Sequence, residues 1–378
     1  MNVLVFPGFL DDTWSSIEER YLWLDAPLRA EGDCHWLVPW RAGAPEPRYS
    51  AELGRIGART IKADLRPGTP IRNFRRLSRI FQAHRIDLVY THFGPLRHQV
   101  EAAARMRGVR VARGEHNFAF HSDRRFRFAK RLFWRWAVDH FVPVSQAVAT
   151  HLAEAGVMRG NGTVVHDGFD LARYPAPAKA ESRNDVLREL EITGQPHLLA
   201  CVAKLPPAKQ QHLLVEMMAQ LGMRNVVLLL AGGIADAPYA AGLQARVRSL
   251  GLEGRIRFLG YRNDVARLMD AADITYLPSR VEGLGNVVVE SCIMETPVIA
   301  ADLPAIREII DNGRNGYLVE GDAVPDYVRL TDRLLGDDAL RRRMGAEGRV
   351  GVAGRFGRQA FERRSVEALR AAFNGART

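Results

Sequence analysis

Short apolar runs recur along this chain, and between them apolar residues return every three or four positions through longer, more polar stretches. The first pattern is that of strands buried on both faces, the second that of helices with one apolar stripe. In the first half the strand-like runs fall at residues 2–6, 34–38, 88–91, 110–113, 141–144 and 163–165, with helical patterns such as 16–31 and 96–107 between them. A second series starts at 197–202 and continues through 226–231, 256–259, 274–277, 298–300 and 317–319. This alternation predicts α/β layers around parallel sheets. The stretch 175–196, rich in proline, alanine and charge, separates the two series. The expected organisation is two doubly wound α/β domains, 1–172 and 173–355, and a tail 356–378 whose amphipathic helix packs back toward the N-terminal domain. Two such domains facing each other create a cleft between the carboxyl ends of their sheets, where ligands of open α/β folds bind.

A chain of 378 residues is long enough for two domains with separate cores. Hydrophobic residues make up 47% and charged residues 25%, the balance of a soluble globular protein. No run approaches the roughly 18 apolar residues of a membrane span. The N-terminus opens on Val3-Leu4-Val5-Phe6, has no basic leader and soon reaches Asp11-Asp12, so it reads as a first strand and not a signal peptide. Cys34, Cys201 and Cys292 are far apart, as in a reducing compartment, and a cytoplasmic protein is expected.

The formal net charge of +10 calls for an anionic partner: nucleic acid, an acidic membrane surface or phosphorylated ligands. One arginine cluster comprises Arg72, Arg75, Arg76, Arg79 and Arg85. A second opens on Arg124 and closes on Trp136, interleaving aromatics with cations on a predicted helix. Such a helix can lie on anionic lipid headgroups, at the inner face of a membrane. Its bland alternative is a solvated face with the aromatics in the core. No recognisable reading motif accompanies the charge, so nucleic acid is not an expected partner.

Candidate chemistry centres on Glu282 and Glu290, which bracket Gly283-Leu284-Gly285-Asn286-Val287-Val288-Val289. The stretch follows the apolar run at 274–277, then a polar turn, and opens a predicted helix. A glycine turn opening a helix presents backbone N–H groups and the positive end of the helix dipole, which suits phosphate. At about 1.5 Å of rise per helical residue the two carboxylates lie at most roughly 12 Å apart. That is enough to straddle a diphosphate, with one acid on sugar hydroxyls and the other on ribose hydroxyls. The alternative is a surface helix with two incidental acids. Lys204, after the first strand of the second series, and Lys209, at the start of the next helix, stand where two cations could neutralise a diphosphate without metal; each could equally be an exposed surface lysine. His116, in Arg113-Gly114-Glu115-His116-Asn117, is a candidate from the first domain, and His92 is its equally placed rival. No His/Asp/Glu trio has ligand spacing, so no metal is expected, and there is no Walker loop or nucleophile elbow.

The chain resembles the retaining GT-B glycosyltransferases of family 4. The resemblance is strongest in the run from Glu282 to Glu290, in Thr296-Pro297-Val298-Ile299-Ala300 and in Glu308-Ile309-Ile310-Asp311-Asn312-Gly313-Arg314-Asn315-Gly316-Tyr317-Leu318-Val319. Val144-Ser145 and His166-Asp167-Gly168-Phe169-Asp170 resemble first-domain landmarks of that family. The resemblance implies two Rossmann-like domains and a nucleoside-diphosphate sugar (UDP- or GDP-linked) as donor. It implies that Glu282 meets the donor sugar, Glu290 the ribose, and Gly283, Leu284, Gly285 and Asn286 the diphosphate. Lys204 and Lys209 match the diphosphate clamp, His116 the histidine beside the sugar, and Phe6-Pro7-Gly8-Phe9 the glycine-rich loop, with Gly8 on donor phosphate.

Four departures stand out. Gly8 is single where the family usually has a glycine pair. Lys204 replaces arginine and so cannot bind phosphate bidentately. Gln210 and Glu295 occupy usual glycine positions. The implied activity is retaining sugar transfer to a hydroxyl of a glycan or lipid-linked glycan, in cell-surface polysaccharide or glycolipid biosynthesis, with no cofactor. The leaving diphosphate itself would serve as base. A nucleotide-sugar epimerase of the same fold and a non-catalytic glycan- or lipid-binding protein are the alternatives.

Overall fold

The computed structural model describes residues 1–8, 16–40, 43, 45–118, 124–174, 177–222 and 225–375. The chain divides into two compact units, Met1–Phe169 with Arg358–Thr378, and Asp170–Gly357. In unit 1, strands β1 (Val3–Phe6), β2 (Cys34–Pro39), β3 (Arg59–Ala63), β4 (Leu88–Thr91), β5 (Arg110–Glu115) and β6 (His140–Pro143) form a sheet in the order β3-β2-β1-β4-β5-β6. In unit 2, β7 (His197–Val202), β8 (Val226–Ala231), β9 (Ile256–Gly260), β10 (Ile274–Leu277), β11 (Val298–Ala301) and β12 (Gly316–Val319) are ordered β12-β11-β10-β7-β8-β9. All pairings are parallel; Val3 lies against both Cys34 and Leu88, and Tyr276 against Cys201.

Both orders reverse once, between β1 and β4 and between β7 and β10. At such a switch point adjacent strands send their following loops in opposite directions, which opens a crevice at their carboxyl ends. Right-handed crossovers also fix which helices share a face. In unit 1 the helices Pro70–Ala83, Arg97–Met106 and Arg124–Ala137, which lead into β4, β5 and β6, lie on one face of the sheet. Helix Arg358–Asn374 packs on helix Asp25–Glu31 and along β4, β5 and β6.

Continuous apolar runs form the central strands because both faces are covered: β1, β4 and β10 are buried at every residue. The core of unit 1 includes Leu24, Leu28 and Trp36, and Trp36 Nε1 donates to Asp25 at 2.8 Å. That of unit 2 gathers Leu214, Met217, Met218, Tyr276 and Tyr327.

Three expectations change. The predicted helix 16–31 is two helices, Ser16–Leu22 and Asp25–Glu31. Pro27 lacks the N–H that a continuous helix would donate to Trp23, and is tolerated only in a first turn. Strand β3 was not predicted, because Arg59-Thr60-Ile61-Lys62-Ala63 is a polar, largely unburied edge strand. Residues 163–165 form no strand: Thr163 and Val165 donate to Phe141 and Pro143 at 3.0 Å, beside a single isolated bridge, Phe141–Gly162.

Candidate functional site

In unit 2 the loops at the switch point carry the predicted residues. After β7 the chain passes Lys204 and makes a short 3₁₀ turn, Pro207–Lys209, before helix Gln211–Gln220. After β10 it passes Ser279 and Glu282 and enters helix Asn286–Ile293. Arg280 N–H donates to Ala208 C=O at 2.9 Å and ties the two loops together. The Lys209 ammonium pairs directly with the Glu282 carboxylate. Helix Asn286–Ile293 starts after Gly285, which has φ +94°, and no side chain caps it among the described residues. Lys204 is exposed.

The helix starts only at Asn286, so the rise per helical residue spans just part of the way from Glu282 to Glu290; the preceding turn can reach further per residue. Glu290 accepts a hydrogen bond from the Tyr174 hydroxyl at 3.1 Å.

Two departures from the family pattern have a conformational explanation. Gln210 has φ +50° and Glu295 φ +55°, both in the left-handed region where glycine is at no disadvantage. The backbone shape is kept without glycine. Gln210 is anchored by a 2.8 Å hydrogen bond from its Nε2 to Asp322, which also pairs with Arg280 at 3.2 Å. The Gln210 hydrogen bond, with help from Arg280, holds the Asp322 carboxyl below its ordinary range. Cys201, at the end of β7, is buried, which pushes its thiol up to about 12 and removes it as a nucleophile.

Tyr174, Ser279, Arg280 and Asp322 also belong to this site, and their residue types and spacing alone did not mark them. Ser279 is buried, and its Oγ has no hydrogen-bond partner among the described residues. Its place directly after a buried strand was the available signal. A cavity of about 640 Å³ elsewhere in unit 2 includes none of Lys204, Lys209, Glu282 or Glu290. Its arginines are already engaged: Arg307 with Asp302 at 2.5 Å, Arg314 with Glu347 at 2.9 Å, and Arg355 with the Glu308 carbonyl. Among the described residues no three His, Cys, Asp or Glu side chains gather as metal ligands.

In unit 1 the loops after β1 and β4 meet at their switch point. Gly8 has φ +76°, and a Cβ there would lie 1.8 Å from the Phe93 carbonyl oxygen, so close backbone approach alone demands glycine. Phe9, Asp11 and Asp12 lie outside the described residues. His116 follows β5. Its Nε2 lies 2.8 Å from the Tyr21 hydroxyl and 3.3 Å from His92 Nδ1, and its Nδ1 lies 3.9 Å from Asp167, which pairs with Arg20 at 3.1 Å. The two histidines are thus one cluster and not rivals. Burial pushes both down from the usual histidine value; Asp167 and Glu115 partly offset this at His116, while His116 and Arg97 add to it at His92. Behind them Arg113, fully buried, pairs with Glu101 and Glu115 at 2.7 Å and lies over the Trp134 ring at 3.7 Å. Arg97 pairs with Glu115 at 2.9 Å and donates to the His92 carbonyl, bracing the two histidine loops.

Helix Arg124–Ala137 splits its aromatics. Trp134 is fully buried, whereas Phe128 and Trp136 face solvent. Among the described residues no helix is long and apolar enough to cross a membrane.

Comparison with known proteins agrees with this architecture. Residues 182–350 match the family profile "Glycosyl transferases group 1", and residues 28–173 match "Glycosyltransferase Family 4". A D-inositol 3-phosphate glycosyltransferase of Nocardia farcinica is 31% identical over 226 residues, 57% of this chain and 49% of that protein. The chain thus spans about half the length of the curated relatives it matches. Among solved structures, Anabaena HepE in complex with UDP and glucose has a TM-score of 0.82 at 20% identity, covering 98% of this chain and all (100%) of that one. A glycosyltransferase from Rickettsia africae has a TM-score of 0.83 at 18% identity, covering 99% of each chain. Two six-stranded parallel sheets with flanking helices are the GT-B architecture of these structures. Matching profiles over both units and this shared fold together place the chain in the group 1, family 4 glycosyltransferases.

Proposed function

We propose that the protein transfers a sugar from a nucleoside-diphosphate sugar, UDP- or GDP-linked, to a hydroxyl with retention of anomeric configuration. The observation that carries this reading is the Lys209–Glu282 pair at the β7/β10 switch point, with Glu282 in the loop that leads to a helix start at Asn286 which no side chain caps among the described residues. Departure of the diphosphate as positive charge develops on the sugar is the hard step. Lys209, Lys204 and the backbone of Gly283, Leu284, Gly285 and Asn286 stabilise that leaving group. Glu282, held by Lys209 until the donor arrives, turns to the sugar hydroxyls. Glu290, steadied by Tyr174, takes the ribose. His116 orients the sugar, and its depressed pKa keeps it neutral at pH 7. No cofactor enters this scheme.

The acceptor in this reading is a glycan or lipid-linked glycan of cell-surface polysaccharide or glycolipid synthesis, met at the inner membrane face through the helix of residues 124–136. The curated relatives' names favour a second acceptor class, a small phosphorylated polyol. The test is a panel of nucleotide sugars, each incubated alone, with a glycan or glycolipid acceptor, and with inositol phosphate, all in EDTA. Sugar transfer with nucleoside diphosphate release is expected. Conversion of the donor with no acceptor present identifies an epimerase, and nucleotide binding without turnover identifies a non-catalytic protein.

A further inference from the structure

The three helices on one face of the unit 1 sheet share an unusual charge pattern. Pro70–Ala83 carries four arginines, Arg97–Met106 two, and Arg124–Ala137 six lysines and arginines; their one acidic residue is Glu101, which is fully buried. They form a continuous layer, since Arg97–Met106 packs against each of the other two. Their outer surface therefore has cations with no helical carboxylate to oppose them. Arg72 and Arg76 are drawn to Asp64, but Arg75, Arg79 and Arg135 form no ion pair among the described residues; Arg131 instead lays its guanidinium group on the turn at Gly156.

The same layer exposes apolar side chains. Phe128, Leu132 and Trp136 are 59%, 49% and 45% exposed. At about 100° per residue they fall within roughly 80° of one another and opposite the buried Trp134. Over residues 128–136 the outermost strip of this helix is thus apolar, whereas a surface helix ordinarily turns its polar face outward. Ile71 and Met106 are exposed on the other two helices. Nucleic acid would be satisfied by the cations alone; an aliphatic and aromatic strip flanked by arginines that form no ion pair among the described residues matches the boundary between lipid phosphates and acyl chains.

We propose that this three-helix face docks on an anionic bilayer, with Phe128, Leu132 and Trp136 inserted at the headgroup–acyl boundary and Arg75, Arg79 and Arg135 over the lipid phosphates. The inference rests on the membrane-facing acceptor reading and extends it from one helix to a whole face with a defined inserting strip.

The test is flotation of the full chain with vesicles of phosphatidylglycerol and phosphatidylcholine, against phosphatidylcholine alone. Binding to the anionic vesicles is expected, and it weakens as salt is raised. The variant Phe128→Ser/Leu132→Ser/Trp136→Ser should bind at least tenfold more weakly with an unchanged melting curve, and Arg75→Glu/Arg79→Glu should lose at least about fivefold per charge at low salt. Brominated lipid should quench the wild type more than Trp136→Phe. Turnover of a nucleotide sugar with a soluble acceptor should stay unchanged in all variants, so failure of docking and failure of the transferase reading are separable. Three results would overturn the proposal: no binding to anionic vesicles at low salt, binding that survives both sets of substitutions, or self-association that the triple serine variant abolishes while vesicles capture nothing.

Discussion

Removing the Lys209 ammonium tests the chemistry at its centre. In the resting protein this cation is committed to Glu282, with side-chain exposures of 27% for Lys209 and 13% for Glu282. An ion pair this accessible contributes at most about 1 kcal/mol to stability, so Lys209→Ala should shift the melting temperature of unit 2 by no more than about 4 °C. Turnover is another matter. A preorganised donor aimed at developing negative charge is worth about 3 kcal/mol, on the order of a hundredfold in rate. Lys209→Ala also leaves Glu282 as an uncompensated anion close to the diphosphate, so a loss beyond a hundredfold is expected. Lys209→Arg keeps the charge and should retain much more. Glu282→Gln in the Lys209→Ala background removes the stranded anion. The double variant should therefore lose less than the product of the two single losses, with a coupling of roughly 0.5–3 kcal/mol. The assay is steady-state release of nucleoside diphosphate, with calorimetric nucleotide binding and thermal melts on each variant. Wild-type turnover in Lys209→Ala, or strictly multiplicative losses in the cycle, would show that Lys209 neither stabilises the leaving group nor acts with Glu282.

Acidification should destabilise unit 1 first. His35, His92, His116 and His140 all have folded pKa values pushed below the ordinary 6.5, chiefly by burial. A base depressed in the folded state binds more protons when unfolded, so its contribution is complete above about pH 6.5 and is lost as pH falls; melting temperature should drop between about pH 7 and 5, and His92→Gln should flatten that slope. Glu295→Gly relieves a left-handed strain of about 1–2 kcal/mol against a glycine entropy cost of about 0.5–1 kcal/mol, so a small rise in melting temperature is expected. Gln210→Gly should gain less, since it gives up the hydrogen bond to Asp322. Arg113→Ala strands Glu101 in the core, which costs about 3–5 kcal/mol and should lower the unit 1 transition by roughly 6–20 °C. Differential scanning calorimetry measures all four.

Apolar runs with both faces covered, such as β1 and β10, were legible because burial leaves no polar alternation to confuse them. The edge strand β3 was not, since its residues are those of a loop and its pairing with β2 is non-local. The helix break before Asp25 had a local signal in Pro27 that the apolar periodicity outweighed. At the site, residue types and spacing pointed to Lys209 and Glu282, but not to their being paired, because 73 residues separate them and the contact depends on β7 and β10 being neighbours. Tyr174 on Glu290, Asp322 on Gln210 and Tyr21 on His116 are likewise invisible to sequence spacing, being products of tertiary placement. The positive φ at Gln210 and Glu295 could be anticipated only as departures from a glycine pattern.

The most direct measurement is a crystal structure of the protein soaked with UDP or GDP. The diphosphate is expected at the Asn286 helix start with Lys209 released from Glu282 onto a phosphate oxygen, and the ribose against Glu290. A nucleotide bound away from the β7/β10 switch point, with the Lys209–Glu282 pair still closed, would contradict that placement.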